Sequence, residues 1–151
     1  MKTVLMMTAL ALAGLSAHAA AADNCTLRLK ANDAMQYDLK TATVSASCPK
    51  ITIELTHTGK MPVTAMGHNV VISPGAQYQA VANDGLKAGA AANYVPKNDP
   101  RVIASTSLVG GGQSTKTTFP GSRLKAGGDY SFFCTFPGHA ALMHGKLVVV
   151  K

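Results

Sequence analysis

The sequence predicts a single all-β domain organised as a β-sandwich, and three observations support this prediction. The chain has 151 residues, the length of one domain with a sizeable core. Hydrophobic residues make up 47% and charged residues 14% of the chain, a composition typical of a folded protein. Most of the chain consists of short runs with period-two alternation that are bounded by Gly, Pro and Asp, a spacing typical of a sandwich.

Residues 1–22 are predicted to be a cleaved secretory signal peptide. A basic residue precedes the apolar run Val4–Leu15, and small residues then suit cleavage after Ala22 or, alternatively, after Ala19. The apolar run is shorter than the roughly 20 residues needed to span a bilayer, so we expect no membrane anchor. Residues 23–151 are therefore expected to form an exported domain.

Four segments are strand candidates by alternation or by β-branched content, and two more are bounded by turn residues. Cys25–Lys30 and Ile51–His57 alternate apolar and polar side chains, which predicts half-buried strands. Val70–Ile72 and Leu147–Val150 are short β-branched runs, the composition that favours strands. The two segments bounded by Gly, Pro and Asp are Ser114–Phe119 and Tyr130–Cys134.

One stretch fits a helix. Residues Gln77–Ala91 are rich in alanine, although Gly85 and Gly89 weaken the helical propensity. We expect this helix to be an insertion beside the sheets.

The net charge of +7, from 14 Lys and Arg against 7 Asp and Glu, does not indicate nucleic acid as a partner. The basic residues are scattered singly, whereas a nucleic-acid or anionic-membrane surface usually shows a clustered run. The charge is therefore expected to affect solubility and to favour acidic partners mildly.

The chain has three cysteines, Cys25, Cys48 and Cys134. An odd number in an oxidising compartment suggests one pair and one thiol kept for another purpose. Pairing Cys25 with Cys48 would close a separation of 23 residues and stabilise the fold by about 3 kcal/mol in the chain-entropy model. Cys134 would then be unpaired, either as an inert buried thiol or as a functional thiolate.

Two short segments contain most of the residues suited to chemistry. Met66–Asn69 precedes a predicted strand, and Phe133–Met143 connects the last two predicted strands. Together they supply two imidazoles, one thiol and two thioethers. A thiolate and two imidazoles in a trigonal set, with a weak axial thioether, form the ligand set suited to copper in electron transfer. Such a site suits Cu(I) and Cu(II) imperfectly and changes little when an electron moves.

At these residues the sequence resembles the azurins, bacterial blue-copper proteins of the cupredoxin family. Four residues separate Cys134 from His139 and three separate His139 from Met143, which matches the azurin loop, whereas plastocyanin-like relatives use shorter Cys-to-His loops. The resemblance covers nearly all of residues 23–151. It implies a plastocyanin-like cupredoxin domain: an eight-stranded Greek-key β-sandwich with one helical insertion, closed by the disulfide between Cys25 and Cys48.

The resemblance also implies a copper site and its surroundings. One copper ion, cycling between Cu(I) and Cu(II), would have three equatorial ligands, a long axial thioether and a weak backbone carbonyl contact. Two main-chain N–H groups would bond to the ligand sulfur and thereby tune the reduction potential of the copper site. The equatorial ligands would be His68, Cys134 and His139, the axial ligand Met143, the carbonyl that of Gly67, and the N–H donors Asn69 and Phe136.

Two further histidines are not expected to be ligands. His57 is similar to an azurin histidine near the copper, and we expect a packed or partly buried side chain. His144 follows the axial Met143 directly, but neighbouring residues of a strand point to opposite faces. We therefore expect His144 at the rim of the site.

An apolar patch around His139 is implied as the docking surface for partners and as the route for electrons. The alternative is that these residues are ordinary core or singly exposed apolar side chains, which are common. Transient redox encounters use interfaces below about 1,200 Å², so a compact patch would suffice. The patch would comprise Met35, Met61, Met66, Phe136, Pro137 and Ala141.

Three function classes compete: an enzyme, a copper store and an electron carrier. An enzyme would use Cys134 as nucleophile and His139 as base, but no acidic or amide orienting residue lies nearby in sequence. A copper store would risk oxidation of its cysteine in an oxidising compartment. We therefore expect a monomeric periplasmic electron carrier, not an enzyme, whose partners by resemblance are redox proteins such as c-type cytochromes and periplasmic oxidoreductases.

Overall fold

A computed structural model of the protein describes residues 24–151, so the predicted signal peptide 1–22 lies outside the described residues. The described residues form nine strands. The strands are β1 Thr26–Asn32, β2 Gln36–Tyr37, β3 Thr41–Ser45, β4 Ile51–His57, β5 Val71–Pro74, β6 Ala104–Ser105, β7 Ser114–Phe119, β8 Tyr130–Phe133 and β9 His144–Val150.

Two α-helices lie between β4 and β6. Helix α1 is the single turn Val63–Met66, and α2 comprises Tyr78–Ala88. The expected helix Gln77–Ala91 is confirmed in position but ends earlier, because Gly89 adopts a positive φ of 75° that stops the helix. Short 3₁₀ turns occur at Gly75–Gln77, Ala90–Ala92, Gly121–Arg123 and His139–Ala141.

The strands form two packed sheets, which confirms the predicted Greek-key β-sandwich. One sheet has the order β2-β1-β4-β7 and the other β3-β9-β8-β5-β6. Strands β1 and β4 are parallel, as are β3 and β9, and the remaining pairs are antiparallel. The described residues form nine strands instead of eight, and two of them, β2 and β6, are two-residue pairings at sheet edges.

The alternation read from the sequence places one face of each main strand in the core. In β4, residues Ile51, Ile53 and Leu55 are fully buried, while the residues between them are partly exposed. Leu27 and Leu29 of β1 face the same interior. Each such side chain contributes about 1.5 to 3 kcal/mol of hydrophobic stabilisation, so this inner layer holds the two sheets together.

A smaller apolar cluster fixes α2 against the five-stranded sheet. Val81 and Ala82 of the helix pack with Phe133 of β8 and with Ala140 of the 3₁₀ turn His139–Ala141. Gly85 allows a close approach on this side, because a Cβ there would collide with the carbonyl oxygen of Tyr94. The helix therefore supports the turn that contains His139.

The three cysteines separate as predicted. Cys25 and Cys48 form a disulfide with a Cα–Cα distance of 5.6 Å, which links the start of β1 to the segment before β4. Cys134 is free and buried, just after β8. We call the disulfide and the adjacent strand termini the disulfide end, and the opposite end, where β8 finishes at Cys134, the metal end.

The elements that the sequence analysis missed are short. β2, β6 and α1 have two to four residues, too few for a periodicity to be recognised. β3 does alternate, but its formation depends on parallel pairing with β9, about 100 residues later in the chain. In the described part of the chain, no helix has the length and apolar character needed to cross a membrane.

Candidate metal centre

Two segments distant in sequence meet at the metal end because β5 and β8 are antiparallel neighbours. Val71 pairs with Phe133, so His68, just before β5, and Cys134, just after β8, reach the same point. The segment after Cys134 then turns back toward β9. This turn is fixed by the Cys134 N–H, which donates to the Met143 carbonyl at 2.9 Å.

Three donor atoms form a compact triangle. The Sγ atom of Cys134 lies 3.9 Å from Nδ1 of His68 and 3.7 Å from Nδ1 of His139, and the two nitrogens are 3.2 Å apart. A point equidistant from these three atoms lies about 2.1 Å from each, within the roughly 2.0 to 2.3 Å of metal–nitrogen and metal–sulfur bonds. All three residues are buried. The triangle therefore fits a single metal ion without rearrangement.

A hydrogen bond orients the His68 ring. Its Nε2 lies 2.9 Å from the main-chain oxygen of Asn32, which accepts the ring N–H and leaves the Nδ1 lone pair directed at the triangle. His139 lies in its 3₁₀ turn, with its own N–H donating to the Phe136 carbonyl at 3.0 Å and its carbonyl accepting from the Met143 N–H at 2.7 Å. The His68 ring is thus held by a hydrogen bond of its own, and the His139 ring is held through the main chain of its turn.

Burial controls the charges of the three donors. It lowers the pKa of His139 to about 4, with the nearby His68 and His57 lowering it further, and it also lowers the pKa of His68. Both rings are therefore neutral ligands at neutral pH. Burial raises the pKa of the Cys134 thiol to about 11, so the thiolate forms when a cation compensates its charge.

The predicted carbonyl contact lies beside the triangle, and the predicted axial residue is buried. Met143 is fully buried, and the carbonyl oxygen of Gly67 lies 4.0 Å from the Cys134 sulfur. Residue 67 has no room for a side chain, because a Cβ there would come within 2.5 Å of the Val63 carbonyl and 3.0 Å of the Phe136 ring. Any side chain at position 67 would therefore force the Val63 carbonyl, the Phe136 ring or the Gly67 main chain to move.

Asn69 connects the two segments. Its side-chain oxygen accepts the Thr135 N–H at 2.9 Å, and its side-chain N–H₂ donates to the Thr135 hydroxyl at 2.8 Å and to the Asn93 carbonyl at 2.9 Å. The main-chain N–H groups of Asn69 and Phe136 bond to the Cys134 sulfur and lower its pKa, which partly offsets burial. Sequence analysis missed Thr135 and Asn93, because these partners lie 66 and 24 residues from Asn69.

The two remaining histidines lie outside the donor triangle. His57 is fully buried and stacks on His68 with ring centroids 4.4 Å apart. Its Nε2–H donates to the Met66 carbonyl at 2.9 Å, and its Nδ1 accepts the Gly59 N–H at 3.0 Å. His144 is partly buried, with Nδ1 2.9 Å from the Ala140 carbonyl.

The predicted patch residues are partly or fully at the surface. Met61 is 39% exposed, Phe136 is partly buried with its ring centroid 4.6 Å from that of His139, and His139 itself is only 3% exposed. Val63 and Leu142, which the sequence analysis did not single out, are exposed apolar residues beside these segments. The other predicted members are Met35 and Met66, partly buried, and Pro137 and Ala141, exposed.

A β-sandwich that buries one cysteine and two imidazoles in this triangle defines a mononuclear copper protein of the blue-copper class. The comparisons make the assignment specific. The family model of copper-binding proteins, plastocyanin/azurin family, matches residues 23–150. The chain belongs to this family, and its site is that of a blue-copper electron carrier, in which bound copper supplies a reversible one-electron change.

Individual relatives agree with this family assignment. The chain is 50% identical to the azurin of Alcaligenes faecalis over 123 residues, which cover 82% of this chain and 96% of the relative. It is 44% identical to the azurin of Pseudomonas aeruginosa over 128 residues, which cover 85% and 86%. A solved azurin structure from the methylotroph Methylomonas sp. strain J matches with a TM-score of 0.80 and 39% identity, covering 84% of this chain and 98% of that one.

Proposed function

We propose that the protein carries single electrons between redox proteins in the periplasm, with the copper held by a defined set of residues. His68, Cys134 and His139 are the equatorial ligands, Met143 is the long axial ligand, and the Gly67 carbonyl is a weak contact. The observation that carries this proposal is the donor triangle, whose equidistant point lies about 2.1 Å from each atom. These donors supply the thiolate and imidazoles that blue-copper electron transfer requires.

The residues around the triangle keep the donors in place while the charge changes. The Asn69 side chain ties the His68 segment to Thr135, next to Cys134. The Asn32 carbonyl fixes the His68 ring. Because these contacts do not involve the donor atoms, the geometry stays nearly constant when an electron arrives, and the reorganisation energy is small.

In the part of the chain that the structure describes, the grooves at the metal end do not open onto the donors, which suits electron exchange through the surface better than catalysis on a bound substrate. The donors are buried, and two grooves lie at this end of the described residues, one of about 110 Å³ and one of about 310 Å³. Neither groove is lined by His68, Cys134 or His139, so a small molecule held there would not reach the donor triangle. We therefore propose that the protein is not an enzyme.

The apolar residues around His139 are proposed as the docking surface for redox partners. Phe136 contacts the His139 ring, and Met61 is exposed. Such a surface, without charged side chains at its centre, suits brief encounters with c-type cytochromes and periplasmic oxidoreductases. The protein is proposed to be a monomer.

Export is proposed from residues 1–22. The mature protein is expected to begin at Asp23, with Ala20 as the alternative start, and mass spectrometry of protein recovered from the periplasm would decide between them. Recovery of the uncleaved chain in the cytoplasm would contradict the proposed localisation.

The docking surface is tested with Met66→Lys. This change places like charges close together when two molecules meet through the patch, so electron self-exchange at low salt should slow on the order of tenfold. The matched control, Ser47→Lys, adds the same charge at the exposed disulfide end. Copper uptake and the intense blue absorption should be unchanged in both variants. Equal self-exchange rates for the two variants would place the electron route elsewhere.

A further inference from the structure

Tyr37 is a buried polar residue at the metal end that the ligand set does not use. Only 4% of the residue is exposed, and its ring packs on Phe132 with centroids 5.7 Å apart. Its hydroxyl donates to the main-chain carbonyl of Asn69, 32 residues later in the sequence. A buried phenol needs such a partner, and here the partner belongs to the residue that follows the proposed ligand His68.

The hydrogen bond joins the two sheets beside the metal centre. Tyr37 lies on β2 of the four-stranded sheet, whereas Asn69 leads into β5 of the five-stranded sheet. The peptide group between Asn69 and Val70 is held on both sides, because Tyr37 donates to its oxygen and its N–H donates to the Thr106 hydroxyl at 2.9 Å. The orientation of this peptide group is therefore set by two side chains outside the ligand set.

Asn69 is also the residue whose own N–H bonds to the Cys134 sulfur. Its side chain is anchored to Thr135 and Asn93, and its carbonyl is anchored to Tyr37. All of these groups extend from one residue, so fixing the carbonyl and the side chain also fixes the position of the Asn69 nitrogen, and with it the distance from its N–H to the sulfur. Without the Tyr37 hydroxyl, a buried carbonyl would lose its donor, which costs about 1 to 3 kcal/mol unless the main chain rotates.

We propose that Tyr37 is a positioning residue that sets the strength of the Asn69 N–H···S hydrogen bond and, through it, the reduction potential of the copper site. The proposal rests on the proposed blue-copper function. Hydrogen bonds to a ligand sulfur withdraw negative charge from it and favour the reduced metal. A weaker bond from Asn69 leaves more charge on the sulfur, favours Cu(II) and lowers the potential.

The test is Tyr37→Phe, which keeps the ring and removes one oxygen. The equilibrium of the copper-loaded mature protein with a one-electron mediator should shift toward Cu(II) by about threefold to tenfold. In the zinc-loaded protein, the NMR resonance of the Asn69 amide proton should move in the direction of a weaker hydrogen bond. The matched control is Tyr130→Phe, which removes a hydroxyl that accepts the Lys125 N–H at 3.0 Å, at the end of β8 away from Cys134.

A second variant gives the opposite sign. 3-Fluorotyrosine at position 37 keeps the hydroxyl and makes it more acidic, so it should donate more strongly and shift the equilibrium toward Cu(I). If Tyr37→Phe and Tyr130→Phe lower the melting temperature alike and neither moves the potential or the Asn69 amide, Tyr37 is structural only and the proposal is wrong. A copper-loaded parent protein that is not blue would contradict the proposed function. The amide shift in the zinc-loaded protein does not depend on copper chemistry, so it would still decide whether Tyr37 positions Asn69.

Discussion

The two ends of the sandwich are held together by different interactions. At the disulfide end, Cys25 and Cys48 are joined covalently beside fully apolar side chains such as Ile51. At the metal end, the same strands finish among fully buried polar residues, including His57, His68 and Asn69. The strands thus run from a covalently fixed, apolar end to an end fixed by hydrogen bonds.

This difference separates stability from chemistry. Buried polar groups are costly unless each finds a partner, and none of the buried side-chain nitrogen or oxygen atoms in residues 24–151 lacks one. The metal end therefore gains a precise arrangement of donors, whereas the disulfide end restricts the unfolded chain. Changes to the donors at the metal end should abolish colour and metal binding, whereas changes at the disulfide end should lower the free energy of unfolding and leave colour intact.

The largest expected effect is on colour, from Cys134→Ser. This change removes the only thiol of the donor triangle, so the intense thiolate-to-copper absorption should disappear completely. The sandwich should remain folded, because the apolar core between the sheets is untouched. Visible absorption and circular dichroism of the copper-treated protein would measure both results, and a variant that stays blue would refute the assignment of Cys134.

The next effect is on stability, from the double change Cys25→Ala and Cys48→Ala. Loss of the crosslink across 23 residues should lower the free energy of unfolding by about 3 kcal/mol. Colour should be retained, because the bridge lies at the end away from the donors. Chemical unfolding followed by circular dichroism, compared with the parent, measures the loss.

A thiol count tests the same pairing independently. The metal-free parent, denatured without reductant, should show one reactive thiol, that of Cys134. Three reactive thiols would show that the exported protein lacks the disulfide.

A further expected effect is a pH dependence of stability that begins at the metal end. In the metal-free protein the pKa of His139 is lowered to about 4 and that of His68 is lowered from its ordinary 6.5. Between about pH 6.5 and 4 these two histidines bind protons in the unfolded chain but much less in the folded protein. The free energy of unfolding should therefore fall as the pH drops through this range. Asp33, Asp84 and Asp99, whose pKa values are lowered from 3.8, add their loss only at lower pH.

Thermal melts of the metal-free protein at pH 7, 6, 5 and 4 would measure this loss. His139→Gln removes one of the titrating rings, and its melting temperature should depend less on pH over the same range. A melting temperature of the parent that is constant from pH 7 to 4 would contradict the prediction.

Much of the sandwich was predictable because strand alternation is a local property. Ile51–His57 was expected from its alternation and Ser114–Phe119 from the turn residues that bound it, and the structure has both strands with these bounds. β3 and β6 were not expected, because short strands depend on the partners they find. Periodicity therefore predicts which residues face inward but not which strands pair.

The candidate site divides in the same way. The spacing of Cys134, His139 and Met143 within one loop predicted a copper ligand set, because the loop is short, its donor types suit copper and its spacing resembles that of the azurins. Asn93, Thr135 and Tyr37 carried no sequence pattern, although each contacts Asn69. Polar residues of these types are common, and only a contact partner distinguishes a fixed one from a solvated one.

The sequence by itself determined the class of fold, the number of cysteines available for pairing and the donor types of one loop, since these follow from composition, periodicity and short spacing. Only the tertiary structure decided that His68 comes within 3.9 Å of a sulfur 66 residues away, and that Tyr37 reaches the carbonyl next to that ligand. The physical reason is the distance along the chain over which each effect acts. Local propensity acts over a few residues, whereas the approach of distant segments is set by the antiparallel register of β5 and β8 and by the packing of one sheet on the other.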